Sequence, residues 1–294
     1  MTSSTTVRER QQRVLTIVLA INAVFLVVEV VGGVVFGSLA LLADAAHLLS
    51  DVAGLAIALA AHRLLTRPAS TRHSFGLQRA EVLGAQANGV ILVATSGWIV
   101  VAAVRRLGDT SSHHVDGGGM LVVALLGLVA NVIGALALAR VEHGSLNLHG
   151  AVVHLAADAV GSIAAVLAGV AVVVAGATWV DPVASIVIAL LVVGAAWGLL
   201  RDATRILLEG TPKALDPDDV RSALARADGV VDVHHLHVWS LASDTPALSA
   251  HVVLDGEPSL HDAQERGDRL RTLLADRFGI AHATLELECH GCDD

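Results

Sequence analysis

The chain has 294 residues, of which 54% are apolar and 16% are charged, whereas about 25% are charged in an average soluble domain. This composition excludes a wholly soluble protein and indicates one that resides in a lipid bilayer. The formal net charge of −9 gives no basic footprint for nucleic acid, and the two cysteines, Cys289 and Cys292, stand at the C-terminal end, where they cannot form a disulfide framework.

Six apolar segments are long enough to cross a membrane as helices, which requires about 20 residues each. They cover residues 14–36, 39–65, 79–107, 117–140, 148–175 and 178–200. The first apolar segment follows a polar stretch that contains arginines, and it is longer than the about 7–15 apolar residues of a secretory signal. We therefore expect it to be an uncleaved span.

The arginines that flank these segments predict the orientation of the chain. Those that fall on one side are Arg8, Arg10, Arg13, Arg63, Arg67, Arg72, Arg79, Arg140, Arg201 and Arg205. By the positive-inside rule this side is the cytoplasm, which predicts a multi-pass protein of the cell membrane with both termini inside. Arg105 and Arg106 fall on the other side, where we expect them to snorkel to the outer interface.

A soluble domain is predicted after the last span. Proline and acidic residues follow the span, and Asp216 before Pro217 suits the N-cap and first position of a helix. A strand at 230–239, a polar turn at 240–246, a strand at 247–254, an amphipathic helix at 260–278 and a strand at 283–288 complete the pattern. The sequence thus divides into a tail (1–13), a six-helix membrane domain (14–207), a cytoplasmic α+β domain of order αββαβ (208–288) and a second tail (289–294).

The pattern H-L-x-x-D-x-x-G occurs twice inside the apolar segments, once from His47 to Gly54 and once from His154 to Gly161, with aspartates at Asp51 and Asp158. Residues four apart share a helix face, so each histidine and aspartate pair would present a nitrogen and an oxygen in one direction. The two helices run antiparallel in the predicted topology. At about 1.5 Å per residue, Asp51 lies roughly 18 Å from the outer start of its helix and Asp158 roughly 15 Å from the inner start of its own, so the pairs fall at similar depth.

Two imidazoles and two carboxylates suit a tetrahedral Zn²⁺ ion, with Co²⁺ and Cd²⁺ as competitors. Protons compete with the metal because binding requires neutral imidazoles and ionised carboxylates. The same four residues therefore predict metal transport coupled to protons. The alternative is that the two pairs only form hydrogen bonds between helices.

Further polar residues lie within the spans. Asp44 shares the helix face of His47 and is either a proton-relay residue or a residue of the outer vestibule. The others are Asn22, Glu29, Asn88 and Asn131, for which we expect either hydrogen bonds between helices or a place along the ion path.

These residues resemble the cation diffusion facilitator family, and most of all its bacterial zinc exporters. The likeness covers residues 14–288 and includes the two repeated motifs, the string from His73 to Gly84 (HSFGLQRAEVLG) and the string from His234 to Trp239 (HHLHVW). It implies a homodimeric, proton-coupled antiporter that exports Zn²⁺. It also implies a metallochaperone-like cytoplasmic domain that binds regulatory zinc and mediates dimerisation.

The resemblance also implies metal ligands outside the membrane. His234, His251 and Glu288 match the cytoplasmic zinc site of the family, whereas His261 is a less certain match. Cys289 and Cys292 supply half of a four-thiolate site, so they either complete this site or belong to a terminal tail. His73, in the loop between the second and third spans, is a tentative ligand or a solvated residue.

Two other classes of function are weaker interpretations. An intramembrane metallohydrolase would use an open zinc position to activate water, but the chain has no H-E-x-x-H motif. A membrane metal sensor that signals through the cytoplasmic domain would explain the ligands outside the membrane, but it gives no role to the ligands within it. The sequence therefore predicts a secondary transporter, with the sensor as the first alternative and the hydrolase as the second.

Overall fold

The computed structural model describes residues 3–65, 70–109, 114–139, 146–243 and 245–290. In several helical stretches, among them 3–18, 58–65 and 146–157, only the backbone is described. The chain divides into two compact units: Met1–Leu59 with Ala87–Leu199, and Ala60–Gln86 with Leu200–Asp294.

Six long helices correspond to the six predicted spans, which confirms an α-helical membrane protein. They are α1 (Ser3–Val35), α2 (Leu39–Leu65), α3 (Arg79–Gly108), α4 (Gly117–Ala139), α5 (Leu146–Ala175) and α6 (Val180–Leu207). Helices α1 and α6 extend beyond the predicted bounds of 14 and 200, because polar residues without glycine or proline continue a helix although they fail a test of apolarity.

Three helical segments are long and apolar enough to cross a membrane, judged by length and composition where the structure describes side chains. They are Arg79–Gly108, Asp158–Ala175 and Val180–Leu207. Shorter apolar helical segments are Leu19–Val35 and Gly117–Ile133.

Small residues form much of the core of the helical unit. Ala40, Ala43 and Ala46 on α2 are buried, as are Ala165 and Ala168 on α5. Helix α4 packs along α5 so closely that a Cβ atom at position 169 would lie 3.2 Å from the Cα atom of Leu121. Such residues allow helices in a membrane to approach at short range.

Asp181, at the start of α6, binds the start of α2. Its side chain is 0% exposed and accepts hydrogen bonds from Ser38 Oγ (2.7 Å) and from the backbone N–H groups of Leu39 (2.9 Å) and Ala40 (3.1 Å). Arg106 at the end of α3 also donates to Asp181 (3.1 Å). The carboxylate thus caps α2 from another helix, because the first N–H groups of a helix lack partners of their own.

The contacts of Arg106 differ from the prediction that it snorkels to the outer interface. Its Nη1 atom donates to the carbonyl of Gly37 at 2.7 Å as well as to Asp181. Gly37 has a φ of 66°, and a Cβ atom there would lie 2.7 Å from the carbonyl oxygen of His114. The tight α1–α2 connection therefore needs glycine and supplies a half-buried acceptor, which apolarity does not reveal.

The αββαβ order of the second unit is confirmed. Its elements are α7 (Pro217–Ala225), β1 (Val230–Ala242), β2 (Thr245–Leu254), α8 (Leu260–Phe278) and β3 (His282–Glu288). Strands β1 and β2 form an antiparallel hairpin, and α8 returns the chain so that β3 pairs parallel to β2. The predicted turn at 240–246 is too long, because Leu241 and Ala242 are buried and Ala242 pairs with Thr245.

Helix caps fix the ends of α7 and α8. The side chain of Asp216 accepts a hydrogen bond from the N–H of Asp218 at 2.9 Å, as the sequence predicted. Ser259 caps the start of α8, and Gly279, with a φ of 69°, ends it. The two helices pack on the apolar residues of the sheet. His235 and His237 on β1 and His251 on β2 line a separate cavity and stay accessible.

Candidate metal sites

The first candidate site lies between α2 and α5. His47 and Asp51 stand one turn apart on α2, and Asp158 on α5 faces them. Nε2 of His47 lies 2.7 Å from Oδ1 of Asp158, within hydrogen-bond distance. One ligand atom from each of the three residues lies within 4.8 Å of the others. The two copies of the repeated motif therefore meet, although the side chain of His154 lies outside the described part of the chain.

The chemistry of this site is compatible with a metal ion as well as with a hydrogen-bonded pair between helices. Asp158 is 5% exposed, and a buried carboxylate requires a compensating charge or hydrogen bonds. Zn²⁺ binds imidazole nitrogen and carboxylate oxygen at about 2.0–2.2 Å, so atoms already within 4.8 Å need only small movements to share one ion. Binding would replace the His47–Asp158 hydrogen bond, and a proton on Nε2 of His47 would have to leave.

A polar layer surrounds these ligands. Asp44 is 5% exposed and accepts a hydrogen bond from Ser162 Oγ at 3.3 Å. Asn131 on α4 donates to the same Ser162 oxygen at 3.3 Å. Asn88 on α3 donates to the backbone carbonyl of Ser50 at 3.3 Å and to its Oγ at 3.1 Å. The two asparagines thus form the predicted hydrogen bonds between helices.

The second candidate site lies on the three-stranded sheet. His234 on β1 pairs in register with His251 on β2, and Glu288 ends β3. Glu288 is 9% exposed, and its two carboxylate oxygens lie 3.0 Å from Nε2 of His234 and 2.6 Å from Nδ1 of His251. The structure therefore brings together the three residues that matched the family pattern.

The sheet adds two residues that the sequence analysis missed, His235 and Glu286. Consecutive side chains of a strand normally point to opposite faces. Here the register shifts between His234 and His237, and His235 has a φ of 49°, so its ring lies 5.0 Å from that of His251. The doubled histidine is the only sequence signal for this bulge. We call His234, His235, His251, Glu286 and Glu288 the histidine cluster.

Glu286 joins the histidine cluster through strand pairing. It stands opposite His251 across β2 and β3, and its Oε2 atom lies 3.5 Å from Nε2 of His251. Alternation in β3 places Glu286 and Glu288 on one side, so both carboxylates meet the histidines. The Glu-x-Glu spacing at the end of the chain was the available signal.

The environment of Glu288 changes its acidity. Burial raises the pKa of this carboxyl, but hydrogen bonds from His251 and His234, together with their charges, outweigh burial and hold the pKa below its usual value of 4.5. The ionised form is therefore the stable one near neutral pH, and it is the form that binds a metal ion.

Other predicted ligands lie apart from these groups. His261 is exposed on α8 and pairs with Glu265 one turn later at 3.5 Å. Cys289 is exposed, and the described residues place it in no group of three metal ligands. Cys292 lies outside the described residues. His73 is exposed and lines a cavity of about 990 Å³ with Arg79 and Trp239, also outside any described ligand group.

Comparison with known proteins identifies the family. The profile of the cation efflux transmembrane domain matches residues 15–208, and that of the cation efflux protein cytoplasmic domain matches residues 212–290. The chain belongs to the cation efflux family. The predicted resemblance is thereby confirmed over nearly the whole chain.

Three relatives illustrate the similarity. The metal cation efflux system protein CzcD of Cupriavidus metallidurans is 38% identical over 96% of this chain and 88% of its own length. The zinc transporter ZitB of Escherichia coli is 39% identical over 99% of this chain and 93% of its own. The cadmium, cobalt and zinc/H⁺–K⁺ antiporter of Bacillus subtilis is 34% identical over 90% of this chain and 85% of its own.

A solved structure also matches the end of the chain. It is the metal-bound C-terminal domain of the CzcD transporter from Cupriavidus metallidurans, which is 31% identical and covers 25% of this chain and 99% of its own, with a TM-score of 0.23.

Proposed function

We propose that this protein of the cation efflux family exports Zn²⁺ from the cytoplasm in exchange for protons, at a site formed by His47, Asp51, His154 and Asp158. The observation that carries the proposal is the convergence of the His47, Asp51 and Asp158 ligand atoms within 4.8 Å inside the helical unit. Ionisable groups within a membrane are costly, so they are retained where they bind what the protein transports.

The ligand types support zinc as the substrate. A mixed nitrogen and oxygen set suits Zn²⁺ and also admits Co²⁺ and Cd²⁺, whereas Mg²⁺ prefers oxygen ligands alone. The names of the relatives, which include zinc, cadmium and cobalt, agree with this range. We infer that the chain transports Zn²⁺ and tolerates the other two ions.

Competition between metal and protons supplies the coupling. In the inward-facing state, Zn²⁺ displaces protons from the imidazole and carboxylate groups. In the outward-facing state, protons rebind and Zn²⁺ leaves, so that the inward proton gradient drives export. Asp44, bonded to Ser162 on α5, lies on the face of α2 that carries His47 and is suited to relay these protons.

The histidine cluster is proposed as a regulatory zinc site, and the matched cytoplasmic domain as the contact between two copies of the chain. Two groups of three ligand atoms share His251, one with His234 and His235 and one with Glu286 and Glu288, and either offers imidazole nitrogen to Zn²⁺. We further propose residence in the cell membrane with both termini in the cytoplasm, on the basis of the flanking arginines.

Flux measurements on purified protein in liposomes test the proposal. With a pH gradient imposed, we expect the wild type to move Zn²⁺ and protons in opposite directions. Asp51→Ala and Asp158→Ala should reduce zinc flux to that of empty liposomes, because each removes a ligand. Asp232→Ala, an exposed carboxylate on β1, is the matched control and should transport normally.

Two results would contradict this function. Undiminished zinc flux in either ligand variant would remove the proposed site. Zinc flux that is indifferent to the pH gradient would remove proton antiport while leaving metal export in place.

A further inference from the structure

Glu29 on α1 is a buried carboxyl group outside the proposed metal ligands. Its exposed fraction is 2%, and its Oε2 atom is buried without a hydrogen-bond partner among the described residues. The Oε1 atom faces Gly127 on α4, where a Cβ atom would lie 3.2 Å from it. The same Cβ position is 3.6 Å from Ser162 Oγ, so Glu29 and the serine that binds Asp44 both lie beside Gly127.

Glycines make room for Glu29 and Asp44 at the junction of four helices. Gly127 on α4 lies beneath Glu29, and a Cβ atom at Gly161 on α5 would lie 3.0 Å from Oδ1 of Asp44. Ser162, beside Gly161, donates to Asp44. We call Glu29 and Asp44 the carboxyl pair. The glycines leave space for it without adding a positive charge.

The charged groups that act on Glu29 are carboxylates, while His47 on α2, the base of this region, lies 2.7 Å from Asp158. Asp44 on α2 and Asp158 on α5 interact electrostatically with it, and α4 has no charged residue to offer. A carboxylate buried in apolar surroundings without an opposite charge is strongly disfavoured, and nearby carboxylates of like charge disfavour it further. Glu29, which is buried and has an unpartnered Oε2 atom among the described residues, therefore retains a proton while the metal ligands carry no ion.

A metal ion would reverse this balance. One Zn²⁺ ion bound by His47, Asp51 and Asp158 would bring two positive charges, which would offset the negative charge around Glu29. Such charges interact strongly where water is excluded. Ionisation of Glu29 would then become favourable in the metal-bound state alone. We propose that Glu29 is a proton-carrying residue, separate from the metal ligands, that releases its proton when Zn²⁺ binds and takes one up when Zn²⁺ leaves.

This inference rests on the proposed transport function and adds a proton that the metal ligands do not carry. In the inward-facing state the proton from Glu29 would enter the cytoplasm with those displaced from the ligands. In the outward-facing state Glu29 would be protonated again. The proton on Glu29 would thus be exchanged without any bond between Glu29 and the metal.

Proton release on zinc binding tests the role of Glu29. Full-length protein in detergent and weak buffer is titrated with Zn²⁺ while a pH-indicator dye reports the protons released. Glu29→Gln keeps the size of the side chain and removes its proton exchange, so we expect zinc binding to persist with about one proton fewer released per protein chain at saturation. Glu257→Gln, an exposed residue between β2 and α8, is the matched control and should release as many as the wild type.

Two further variants separate this inference from the proposed function. Glu29→Asp retains a titratable carboxyl and should restore the missing proton. In an Asp158→Ala background the intramembrane site is lost. Adding Glu29→Gln to this background should leave proton release unchanged, because only the histidine cluster still binds zinc in both the single and the double variant.

Three outcomes would overturn the proposal. Equal proton release by the wild type and Glu29→Gln, with zinc binding intact, would remove the role of Glu29 and leave the transport site standing. Loss of the zinc bound at the intramembrane site in Glu29→Gln, with the histidine cluster still loaded, would show Glu29 to be a ligand or a structural group. Equal proton release and zinc binding in the wild type and Asp158→Ala would remove the proposed intramembrane site, and the inference with it.

Discussion

Neighbouring histidines on β1 differ in what they offer a metal ion. The left-handed backbone of His235 brings its ring beside those of His234 and His251. His237 lies on the same strand and lines the same cavity of about 400 Å³, but it stands outside the groups of ligand atoms found among the described residues. Backbone conformation at one residue therefore decides which histidine lies beside His234 and His251.

His235→Ala and His237→Ala should differ in cytoplasmic zinc binding. Removal of a ligand imidazole should weaken binding by about tenfold or more, whereas removal of a nearby histidine should have little effect. Zinc titration in an Asp51→Ala background, which silences the intramembrane site, measures this difference. Equal affinities of the two variants would exclude His235 from the site.

Glu288 makes the stability of the zinc-free domain sensitive to acid. Because its folded-state pKa lies below the usual 4.5, Glu288 stabilises the fold above about pH 4.5, and this contribution is lost as the pH falls through the folded value. We expect the unfolding temperature of Glu288→Gln to fall less than that of the wild type as the pH is lowered below about 4.5. Thermal unfolding of the metal-free protein followed between about pH 6 and 3 checks it, with Glu257→Gln as the control; an unchanged pH profile in Glu288→Gln would contradict it.

At the scale of elements, the Asp181 carboxylate joins three helices. It caps α2, begins α6 and pairs with Arg106 at the end of α3. Because the Asp181 carboxylate is buried, its charge needs both the α2 cap and the ion pair with Arg106 as compensation. A buried charge that loses its partner is far more costly than the loss of an exposed ion pair.

Asp181→Asn should destabilise the helical unit by about 3 kcal/mol, because Arg106 would keep its charge while losing the carboxylate. Thermal unfolding in detergent measures the effect. Asp116→Asn is a suitable comparison, since Asp116 is an exposed cap of α4 and asparagine caps a helix about as well as aspartate. Equal stability of the two variants would show that the Asp181 ion pair contributes nothing measurable.

At the scale of the whole molecule, local patterns were sufficient for the elements. Apolar runs predicted the six helices because each is a property of consecutive residues. Alternation and capping predicted the αββαβ order in the same way, and the bounds of α8, Leu260–Phe278, agree with the prediction. The predicted turn at 240–246 was wrong where tertiary burial of Leu241 outweighed polar composition.

The residues of the candidate sites were predicted where their spacing along the chain forms a motif, and were missed elsewhere. Two matched motifs indicated that His47 and Asp158 would meet, and the structure brings them to 2.7 Å. His235 depends on a bulge, and the capping role of Asp181 depends on contacts with residues more than 70 positions away. Such contacts arise from packing between distant elements, which spacing along the chain does not encode.

The bonds of Asp181 also limit how α2 is able to move. A slide of α2 along its axis by one turn, about 5.4 Å, would break the hydrogen bonds to Ser38, Leu39 and Ala40 together. A tilt about the N-terminal end of α2 would preserve them. In the proposed transport cycle, the end of α2 held by Asp181 would therefore act as a pivot, and His47 and Asp51 would move through an arc about it.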